Sequence, residues 1–361
     1  MSDSSQSTKT ISDFEATLSG ADKSVASFEH EHVTPLQKLR VFLHAYPVSV
    51  PIFVLVLSVL LFGITTNGLI FMPGNLSTIL KQVTPIGIVA IAQTIIILTA
   101  GIDLSIGAIM VLSMIVMGKL GVQSGLPEPL AIAIGLFAGG VMGYLNGALV
   151  TRLRLPPFIV TLGTLYVFQA LKLWYSDSES IRNVDTEAMA PLLIFFGKVI
   201  SIGGFQILFG TVAFLLLAFV MSYFLRHTAW GRHVYAVGDD VNGAMLSGVR
   251  TDRVLTSVYV VAGVIAAFAG LVLIGRVGGT VTPLAGETAN LDSITAVVIG
   301  GTSLFGGRGS IAGSVLGALI VGVFRFGLSL SKVDVLWQDF TVGILIIAAV
   351  AIDQWIRKAS A

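Results

Sequence analysis

The residues of this sequence that are best suited to chemistry are polar side chains set inside long apolar stretches. The foremost is Asp103, in the run Thr99-Ala100-Gly101-Ile102-Asp103-Leu104-Ser105-Ile106-Gly107. An ionisable residue within such a stretch is costly in lipid, so it is a functional hypothesis by default. Two roles are open and can coexist. Either Gly101 breaks one helix and Asp103 caps the next, or Asp103 gates or contacts a substrate.

Uncharged polar residues in other apolar stretches are further candidates. Amides and hydroxyls form hydrogen bonds without carrying a full charge, which suits a neutral polyol as a substrate. Each of them can equally bridge two helices, which is the more common role of such residues in membranes. The predicted pathway or gating residues are Asp103, Ser105, Gln93, Asn146 and Gln169.

The sequence lacks the residue patterns that bond-breaking chemistry requires. It contains no cysteine, and its five histidines lie outside the apolar stretches. It has no glycine-rich loop ending in Lys-Ser/Thr, and the glycine cluster of residues 300–309 lacks the lysine that would hold a phosphate. We therefore predict no catalytic residue, no metal site and no cofactor bound by this chain, which is not expected to be an enzyme.

A polar segment at 226–253 separates two apolar stretches and carries four arginines. Within it, Asp240 is suited to cap a two-turn helix, and Gly248 is suited to end that helix in a left-handed conformation. A short capped helix that presents residues 244–246 has the form of an element that docks in a groove of a soluble partner. The alternative is an ordinary charged loop.

The elements that position these residues follow from composition. The chain is 55% hydrophobic and 11% charged, with a mean hydropathy of +0.91, whereas a soluble domain has about 25% charged residues. We predict an all-α, polytopic helix bundle with about ten transmembrane helices, because a span needs roughly 20 apolar residues. The predicted spans are 48–66, 79–99, 104–122, 129–150, 157–174, 205–225, 254–275, 291–306, 310–330 and 336–353.

The distribution of basic residues predicts the orientation of the bundle. Ten spans place both termini on one side, and with the N-terminus inside, most lysines and arginines fall in cytoplasmic segments. The outside loops hold few of them: Arg182, Lys198, Arg276 and Lys332. We therefore expect cytoplasmic N- and C-termini, with segment 226–253 on the cytoplasmic face.

The remaining divisions of the chain follow from local composition. Residues 1–35 are rich in Ser, Asp, Glu and Thr, which is typical of a disordered cytosolic tail. Residues 36–46 are predicted to form an interfacial helix. The transmembrane domain is predicted at 47–355, and a short cytosolic tail at 356–361. The longest outside loop, 175–204, is either a contact for an external partner or a solvated connection.

Glycines recur every four residues along two of the predicted spans. Small residues at this spacing let helix backbones approach closely in a membrane, so we predict helix packing rather than substrate contact. The predicted packing residues are Gly139, Gly143, Gly147, Gly313 and Gly317.

The two glycine-rich stretches are similar to each other in sequence. Ala138-Gly139-Gly140-Val141-Met142-Gly143 resembles Ala312-Gly313-Ser314-Val315-Leu316-Gly317, and Ile102-Asp103-Leu104-Ser105 is similar to Leu291-Asp292-Ser293. In the predicted topology the first stretch descends toward the cytoplasm and the second ascends. This pattern indicates an inverted repeat, as in many transporters, with chance similarity of short Gly/Ala runs as the alternative.

Six motifs, in order along residues 45–355, resemble one family: the permease subunits of ribose-type monosaccharide ABC importers. The motifs are Gly101-Ile102-Asp103-Leu104-Ser105-Ile106-Gly107, Asn146-Gly147-Ala148-Leu149-Val150-Thr151, Pro157-Phe158-Ile159-Val160-Thr161-Leu162-Gly163-Thr164, Gly231-Arg232-His233-Val234-Tyr235-Ala236-Val237-Gly238, Ala244-Met245-Leu246-Ser247-Gly248-Val249, and Ile299-Gly300-Gly301-Thr302-Ser303-Leu304-Phe305-Gly306-Gly307. The resemblance implies a multi-pass protein of the bacterial inner membrane.

The resemblance also implies a mechanism and a set of partners. The permease would form a homodimer in membrane lipid, join a cytosolic ATP-binding subunit and receive sugar from a periplasmic binding protein, with no nucleic-acid partner. ATP and Mg would bind the partner ATPase. Fructose and ribose are the first substrates to expect. The residues that the resemblance assigns to ATPase coupling are Gly231, Arg232, Gly238, Asp240, Ala244, Met245, Leu246 and Gly248.

The sequence departs from the family at two points of this segment. Asp239-Asp240 stand where Gly-Gly or Gly-Asn is usual, and Gly243-Ala244 stand where paired alanines are usual. Both changes keep the helix and make the surface offered to the ATPase more acidic.

Two other classes of function remain open from the residues alone. An ion-coupled secondary transporter of a small polar solute is the first, and it would need a buried carboxylate or cation site at mid-membrane. The sequence offers charged residues only near predicted span ends, among them Asp292 and Arg325. A non-transporting membrane scaffold is the second.

Overall fold

The apolar stretches fold into helices because a backbone in lipid can satisfy its hydrogen bonds only within its own segment. The computed structural model describes residues 48–286 and 288–357 of the chain. The predicted N-terminal tail, 1–35, and interfacial helix, 36–46, lie outside the described residues. The predicted C-terminal tail, 356–361, begins inside the last helix, and its final four residues lie outside the described part.

Helices and one hairpin follow each other along the described chain. In order they are α1 (Ser49–Thr65), α2 (Pro73–Leu98), α3 (Ile106–Gly118), α4 (Glu128–Arg152), α5 (Pro157–Tyr175), α6 (Asn183–Met189), β1 (Val199–Ile202), β2 (Phe205–Leu208), α7 (Phe209–His227), α8 (Ala229–Asp239), α9 (Val241–Leu246), α10 (Thr251–Arg276), α11 (Ala289–Ile299), α12 (Ile311–Leu330) and α13 (Val335–Arg357). A π-helical turn, Lys119–Gln123, extends α3, and 3-10 turns occupy Leu69–Phe71 and Pro191–Gly197.

The predicted all-α, polytopic class is confirmed. Seven helices of the described chain are long and apolar enough to cross a membrane, namely α2, α3 with its π-helical turn, α4, α5, α7, α10 and α12. Three apolar helices are shorter over the residues searched: α1, α11 and the first part of α13. Each of the ten predicted spans overlaps one of these helices.

One predicted span ends too late. The sequence predicts a span at 291–306, but the observed helix, α11, already ends at Ile299. Gly301, Gly306 and Gly307 adopt positive φ angles of 81°, 84° and 71°, which no continuing helix allows. The glycine-rich segment after α11 is therefore a loop with backbone conformations that only glycine adopts readily.

A β-hairpin before α7 is not predicted by the sequence analysis. Strands β1 and β2 pair antiparallel, with Val199 opposite Leu208 and Ile202 opposite Phe205. Gly203 and Gly204 form the turn at φ values of 56° and 83°, which suits a two-residue hairpin. This Gly-Gly pair between two apolar runs is the sequence signal for the hairpin, but length and hydropathy favoured a span from residue 205.

The helices form two groups whose contacts correspond to each other. The first group is α2–α5 and the second is α10–α13. The two leading helices, α2 and α10, pack together at the centre, and α4 packs on α10 as α12 packs on α2. Likewise α3 contacts α4, α5 and α10, while α11 contacts α12, α13 and α2. This correspondence supports the inverted repeat that the sequence suggests.

The glycines of α4 form its contact with α10. A Cβ at Gly139 would lie 2.5 Å from the carbonyl oxygen of Gly263, and one at Gly147 would lie 3.0 Å from the α-carbon of Thr256. A Cβ at Gly143 would overlap the carbonyl oxygen of Tyr259. These glycines therefore lie where two helix backbones touch within one chain.

The predicted glycines of α12 contact α11, which belongs to the same helix group. A Cβ at Gly313 would overlap the carbonyl oxygen of Gly300, just beyond the end of α11. A Cβ at Gly317 would overlap the carbonyl oxygen of Ala296. Both sets of predicted packing glycines thus lie in helix contacts: the α4 set joins the first group to the second, and the α12 set lies within the second group.

The loops of the bundle gather at two ends that differ in charge. The end formed by residues 99–105, 153–156, 226–250 and 300–310, which we call the basic end, carries exposed arginines: Arg152, Arg154, Arg226, Arg232, Arg250, Arg253 and Arg308. At the opposite end, Ile181 and Val281 pair in an isolated β-bridge. The positive-inside bias predicts that the basic end is cytoplasmic.

Candidate functional site

The helix break before α3 creates the most polar part of the interior. Helix α2 ends at Leu98, and residues 99–105 are not helical. Ala100 has a positive φ of 59°, and the amide of Gly101 donates to the carbonyl of Ile96 at 3.1 Å, which turns the chain sharply. The following residues, Ile102 to Ser105, therefore run back into the bundle beside the end of α2.

Asp103 is buried at the end of this loop. Its Oδ1 accepts hydrogen bonds from the backbone amide and from the hydroxyl of Ser105, each at 2.7 Å. The N-cap of α3 is Ser105, two residues later, so the predicted N-cap position of Asp103 is wrong. An aspartate side chain readily bonds the amide two residues on, and Asp103 makes such a turn ahead of the helix.

Asn146 reaches the same carboxylate from α4. Its Nδ2 donates to the hydroxyl of Ser105 at 2.8 Å and lies 3.4 Å from Oδ2 of Asp103. Gly143, about one turn before Asn146, and Gly147, the next residue, let α10 close over this point. Asn146 is consequently fully buried.

Gln93 completes the group from α2. In the orientation that satisfies both amide atoms, its nitrogen donates to the carbonyl of Asp103 and its oxygen accepts from the amide of Asp103, each at 3.2 Å. Two helices and a loop thus join in one set, Gln93, Asp103, Ser105 and Asn146, which we call the Asp103 cluster. The part of the chain that the structure describes offers this carboxylate no ion-pair partner.

The fifth predicted pathway residue, Gln169, does not belong to the cluster. It lies partly exposed on α5, next to the buried Phe168. Consecutive residues of a helix point about 100° apart, so Phe168 takes the inward position and Gln169 is turned away.

Three residues around the cluster were not predicted. The hydroxyl of Thr161 donates to the carbonyl of Ile102 at 2.9 Å, and Nδ2 of Asn290 donates to the carbonyl of Leu104 at 3.2 Å. Tyr259 of α10 is buried beside Gly101. Thr161 lies within one of the sequence motifs, whereas a lone tyrosine or asparagine in an apolar helix carries no comparable signal.

A second buried carboxylate lies in the other repeat. Asp292, in the first turn of α11, accepts from Arg325 of α12 at 2.7 Å and from the hydroxyl of Thr288 at 2.8 Å. Arg325 also lies 3.3 Å from Asp339 of α13. Asp103 and Asp292 therefore both lie at the start of a helix, and both are buried.

Segment 226–253 folds as two helices at the basic end. The Asp240 side chain accepts from the amide of Asn242 at 2.9 Å and caps α9, and Gly248 follows the helix at a φ of 84°. Asp240 and Gly248 are thus the N-cap and the helix-ending residue, as the sequence predicts. The sequence analysis missed α8, although Thr228 accepts from the amide of Gly231 at 3.2 Å as its N-cap.

The predicted coupling residues divide into an exposed and a buried set. Met245 and Leu246 of α9 are 57% and 85% exposed. The other exposed members are Arg232, Asp240 and Gly248. The buried members are Gly231, Gly238 and Ala244. These three contact their own chain, so they are placed to position the helix pair rather than to form its outer surface.

Gly238 lies at a meeting point of three backbone segments. A Cβ there would overlap the carbonyl oxygen of Leu98 and lie 2.7 Å from the amide nitrogen of Gly307. That amide donates to the same Leu98 carbonyl at 2.9 Å. The end of α8, the end of α2 and the glycine-rich loop after α11 therefore touch without intervening side chains.

Two further hydrogen bonds fix α8 on the bundle. The indole of Trp230 donates to the hydroxyl of Ser257 at 2.8 Å, and the hydroxyl of Tyr235 donates to the carbonyl of Gly309 at 2.9 Å. Burial raises the pKa of Tyr235, and the nearby charge of Arg226 opposes this rise only in part. Tyr235 thus keeps its proton and its bond to Gly309, so α8 is held on the bundle at two points.

The described residues contain no group of three or more histidine or acidic side chains that could hold a metal ion.

Comparison with known proteins identifies relatives of the chain. The family model described as branched-chain amino acid transport system / permease component matches residues 75–350. The chain is 52% identical to the fructose import permease protein FrcC of Rhizobium meliloti, covering 97% of both chains. It is 39% identical to the ribose import permease protein RbsC of Bacillus subtilis, covering 90% of this chain and 94% of the relative. It is 35% identical to the D-allose transport system permease protein AlsC of Escherichia coli, covering 85% and 91%. No solved structure matches significantly.

Proposed function

The chain belongs to the family of branched-chain amino acid transport system permease components, within its group of ribose-type monosaccharide import permeases, and we propose that it carries a ketohexose or a pentose. It is the multi-pass membrane subunit of an ATP-driven importer. The observation that carries the proposal is the 52% identity to a fructose import permease along 97% of both chains. D-fructose is the first substrate to test and D-ribose the second.

The partners follow from this role. A cytosolic ATP-binding subunit binds ATP and Mg and hydrolyses ATP, while this chain binds neither. A periplasmic binding protein delivers the sugar to the end of the bundle opposite the basic end. Two copies of the chain form the permease in the bacterial inner membrane.

The surface for the ATPase is the helix pair at the basic end. The apolar side chains of Met245 and Leu246 are exposed on a short capped helix, which suits insertion into a groove of a soluble protein. Exposed Arg232 and Asp240 flank them, and buried Gly231, Gly238 and Ala244 hold the pair on the bundle.

The pathway for the sugar passes the Asp103 cluster. Gln93, Ser105 and Asn146 carry amide and hydroxyl groups, which bind a neutral sugar without charge neutralisation. The cluster is closed in this structure, because each of its members is at most 1% exposed. ATP binding moves the helix pair, and the contact of Gly238 with Leu98 passes that movement to the loop that bears Asp103.

The test is uptake by the reconstituted complex. Proteoliposomes holding this chain and its ATP-binding subunit, with the binding protein outside and ATP inside, should accumulate radiolabelled D-fructose or D-ribose. Omitting either ATP or the binding protein should abolish uptake. Uptake by the chain alone, driven by a proton or sodium gradient, would instead show an ion-coupled secondary transporter.

A further inference from the structure

Among the residues that the structure describes, one buried polar atom in the Asp103 cluster and one beside it have no hydrogen-bond partner. They are Oδ1 of Asn146 and the hydroxyl of Tyr259, whose residues are 0% and 1% exposed. A buried polar group without a partner loses its bonds to water and gains none in return, so nearly all such groups in native proteins are paired. Two unpaired groups that border the same loop are therefore available to bond a ligand.

Both atoms border the loop of residues 99–105. Tyr259 points at the loop, since a Cβ on Gly101 would lie 3.1 Å from its hydroxyl. The backbone of Tyr259 packs on Gly143, one helical turn before Asn146. Asn146 uses its Nδ2 on Ser105 and Asp103 and leaves Oδ1 free among the described residues.

The same region is where two short helices begin. Asn290 is the second residue of α11 and Gly107 the second residue of α3, and a Cβ on Gly107 would lie 3.1 Å from the Asn290 amide nitrogen. Helix N-termini carry partial positive charge. Two of them facing each other inside the bundle disfavour cations and protons and leave neutral hydrogen-bonding solutes acceptable.

We propose that Asn146 and Tyr259 contact hydroxyl groups of the monosaccharide when the loop of residues 99–105 moves aside, which makes them specificity-determining residues of the permease. This inference rests on the proposed function. The Asn146 oxygen accepts from a sugar O–H, and the Tyr259 hydroxyl donates to a sugar oxygen. The pair therefore complements a solute whose every hydroxyl is both donor and acceptor.

Packing alone does not account for the tyrosine. Phenylalanine would fill the same space and would bury no unpaired hydroxyl, so a purely structural role favours phenylalanine at residue 259. The hydroxyl is useful only in a state in which it has a partner. Opening of the loop through the Leu98–Gly238 contact provides such a state.

The experiment replaces Tyr259 with phenylalanine in the complete complex in proteoliposomes. Tyr259→Phe should lower the initial rate of uptake of D-fructose, or of D-ribose if that is the sugar transported, about tenfold, which corresponds to ~1.4 kcal/mol. ATP hydrolysis stimulated by the loaded binding protein should stay within about twofold of wild type, so the sugar moved per ATP falls. The melting temperature of the complex should be unchanged or higher, because an unpaired buried hydroxyl is removed.

Ser113→Ala is the matched control. Ser113 lies on α3 and its hydroxyl is also buried and unpaired, but it is outside the Asp103 cluster. This variant should transport at the wild-type rate. Wild-type uptake by Tyr259→Phe, or an equal loss in both variants, would overturn the inference and leave the proposed function standing. Failure of the wild-type complex to take up either sugar with ATP would overturn the proposed function itself.

Discussion

The carbonyl oxygen of Leu98 lies so close to the α-carbon of Gly238 that no side chain fits between them. Leu98 is the last residue of α2, and Gly238 is next to last in α8. The amide of Gly307 donates to the same carbonyl at 2.9 Å and closes the junction from a third segment. Since packed backbone is nearly incompressible, we expect a movement of α8 toward α2 to displace the loop that leads to Asp103.

Gly238→Val should therefore separate ATPase binding from transport. The new side chain must push α8 away from α2, while the surface of α9 keeps its chemistry. We expect the ATP-binding subunit to co-purify at the wild-type level and sugar uptake to fall by about tenfold or more, a change of at least ~1.4 kcal/mol. Gly74→Val is the control, because a Cβ at Gly74 meets nothing within 4 Å. Normal uptake by Gly238→Val would show that the junction transmits no movement.

Met245→Glu should abolish ATPase binding without harming the permease. The side chain is 57% exposed in this chain, so a carboxylate remains hydrated there until a partner covers it. Burial of that charge in an apolar groove then opposes docking. Co-purification with the ATP-binding subunit measures the effect. Val184→Glu, at the opposite end and 67% exposed, should retain the subunit; retention by Met245→Glu as well would exclude α9 as the docking surface.

Asp103→Asn should retain most of the transport rate, whereas Asp103→Leu should lose it. Asparagine keeps an oxygen that accepts both bonds from Ser105, and only the 3.4 Å contact with Nδ2 of Asn146 becomes unfavourable. Leucine leaves these buried donors unpaired, which costs about 1–3 kcal/mol. Uptake and melting temperature of both variants test this. Loss of uptake in the asparagine variant at normal stability would assign a role to the charge itself.

Gly143→Leu and Gly317→Leu should destabilise the folded chain. Each side chain would enter a contact between two backbones, α4 with α10 or α11 with α12. Overpacking of this kind costs about 1–3 kcal/mol or more. The yield of monodisperse protein after detergent extraction should fall for both. Gly163→Leu is the control, because a Cβ at Gly163 meets nothing within 4 Å; equal yields for all three would mean that the glycine contacts are loose.

Cysteine labelling should place the basic end in the cytoplasm. The chain has no cysteine of its own, so Arg232→Cys and Glu179→Cys each introduce one exposed thiol. A membrane-impermeant maleimide should label Glu179→Cys in spheroplasts and Arg232→Cys only after lysis. Labelling of Arg232→Cys in intact spheroplasts would reverse the orientation that the arginines predict.

The sequence by itself determined the helices, the charged end and the capped helix α9. The reason is that these features depend on local composition: a span needs about 20 apolar residues, arginines stay on one side, and Asp240 and Gly248 act on their own backbone. Each predicted span overlaps a helix, and the glycine spacing marked the helix contacts. The hairpin and α8 are short elements, and their sequence signals are weaker than the hydropathy signal of the neighbouring spans.

Only the tertiary structure decided which polar residues meet. Helices α3 and α4 are apolar on nearly every side, so their sequences do not show which face is inward. Gln93 and Asn146 join Asp103, while Gln169 does not, because helix rotation is fixed by close contacts between distant segments such as Gly143 with Tyr259. The same contacts place Gly238 against Leu98 and leave Met245 exposed. The spacing of residues along one short segment does not show which of them will be buried.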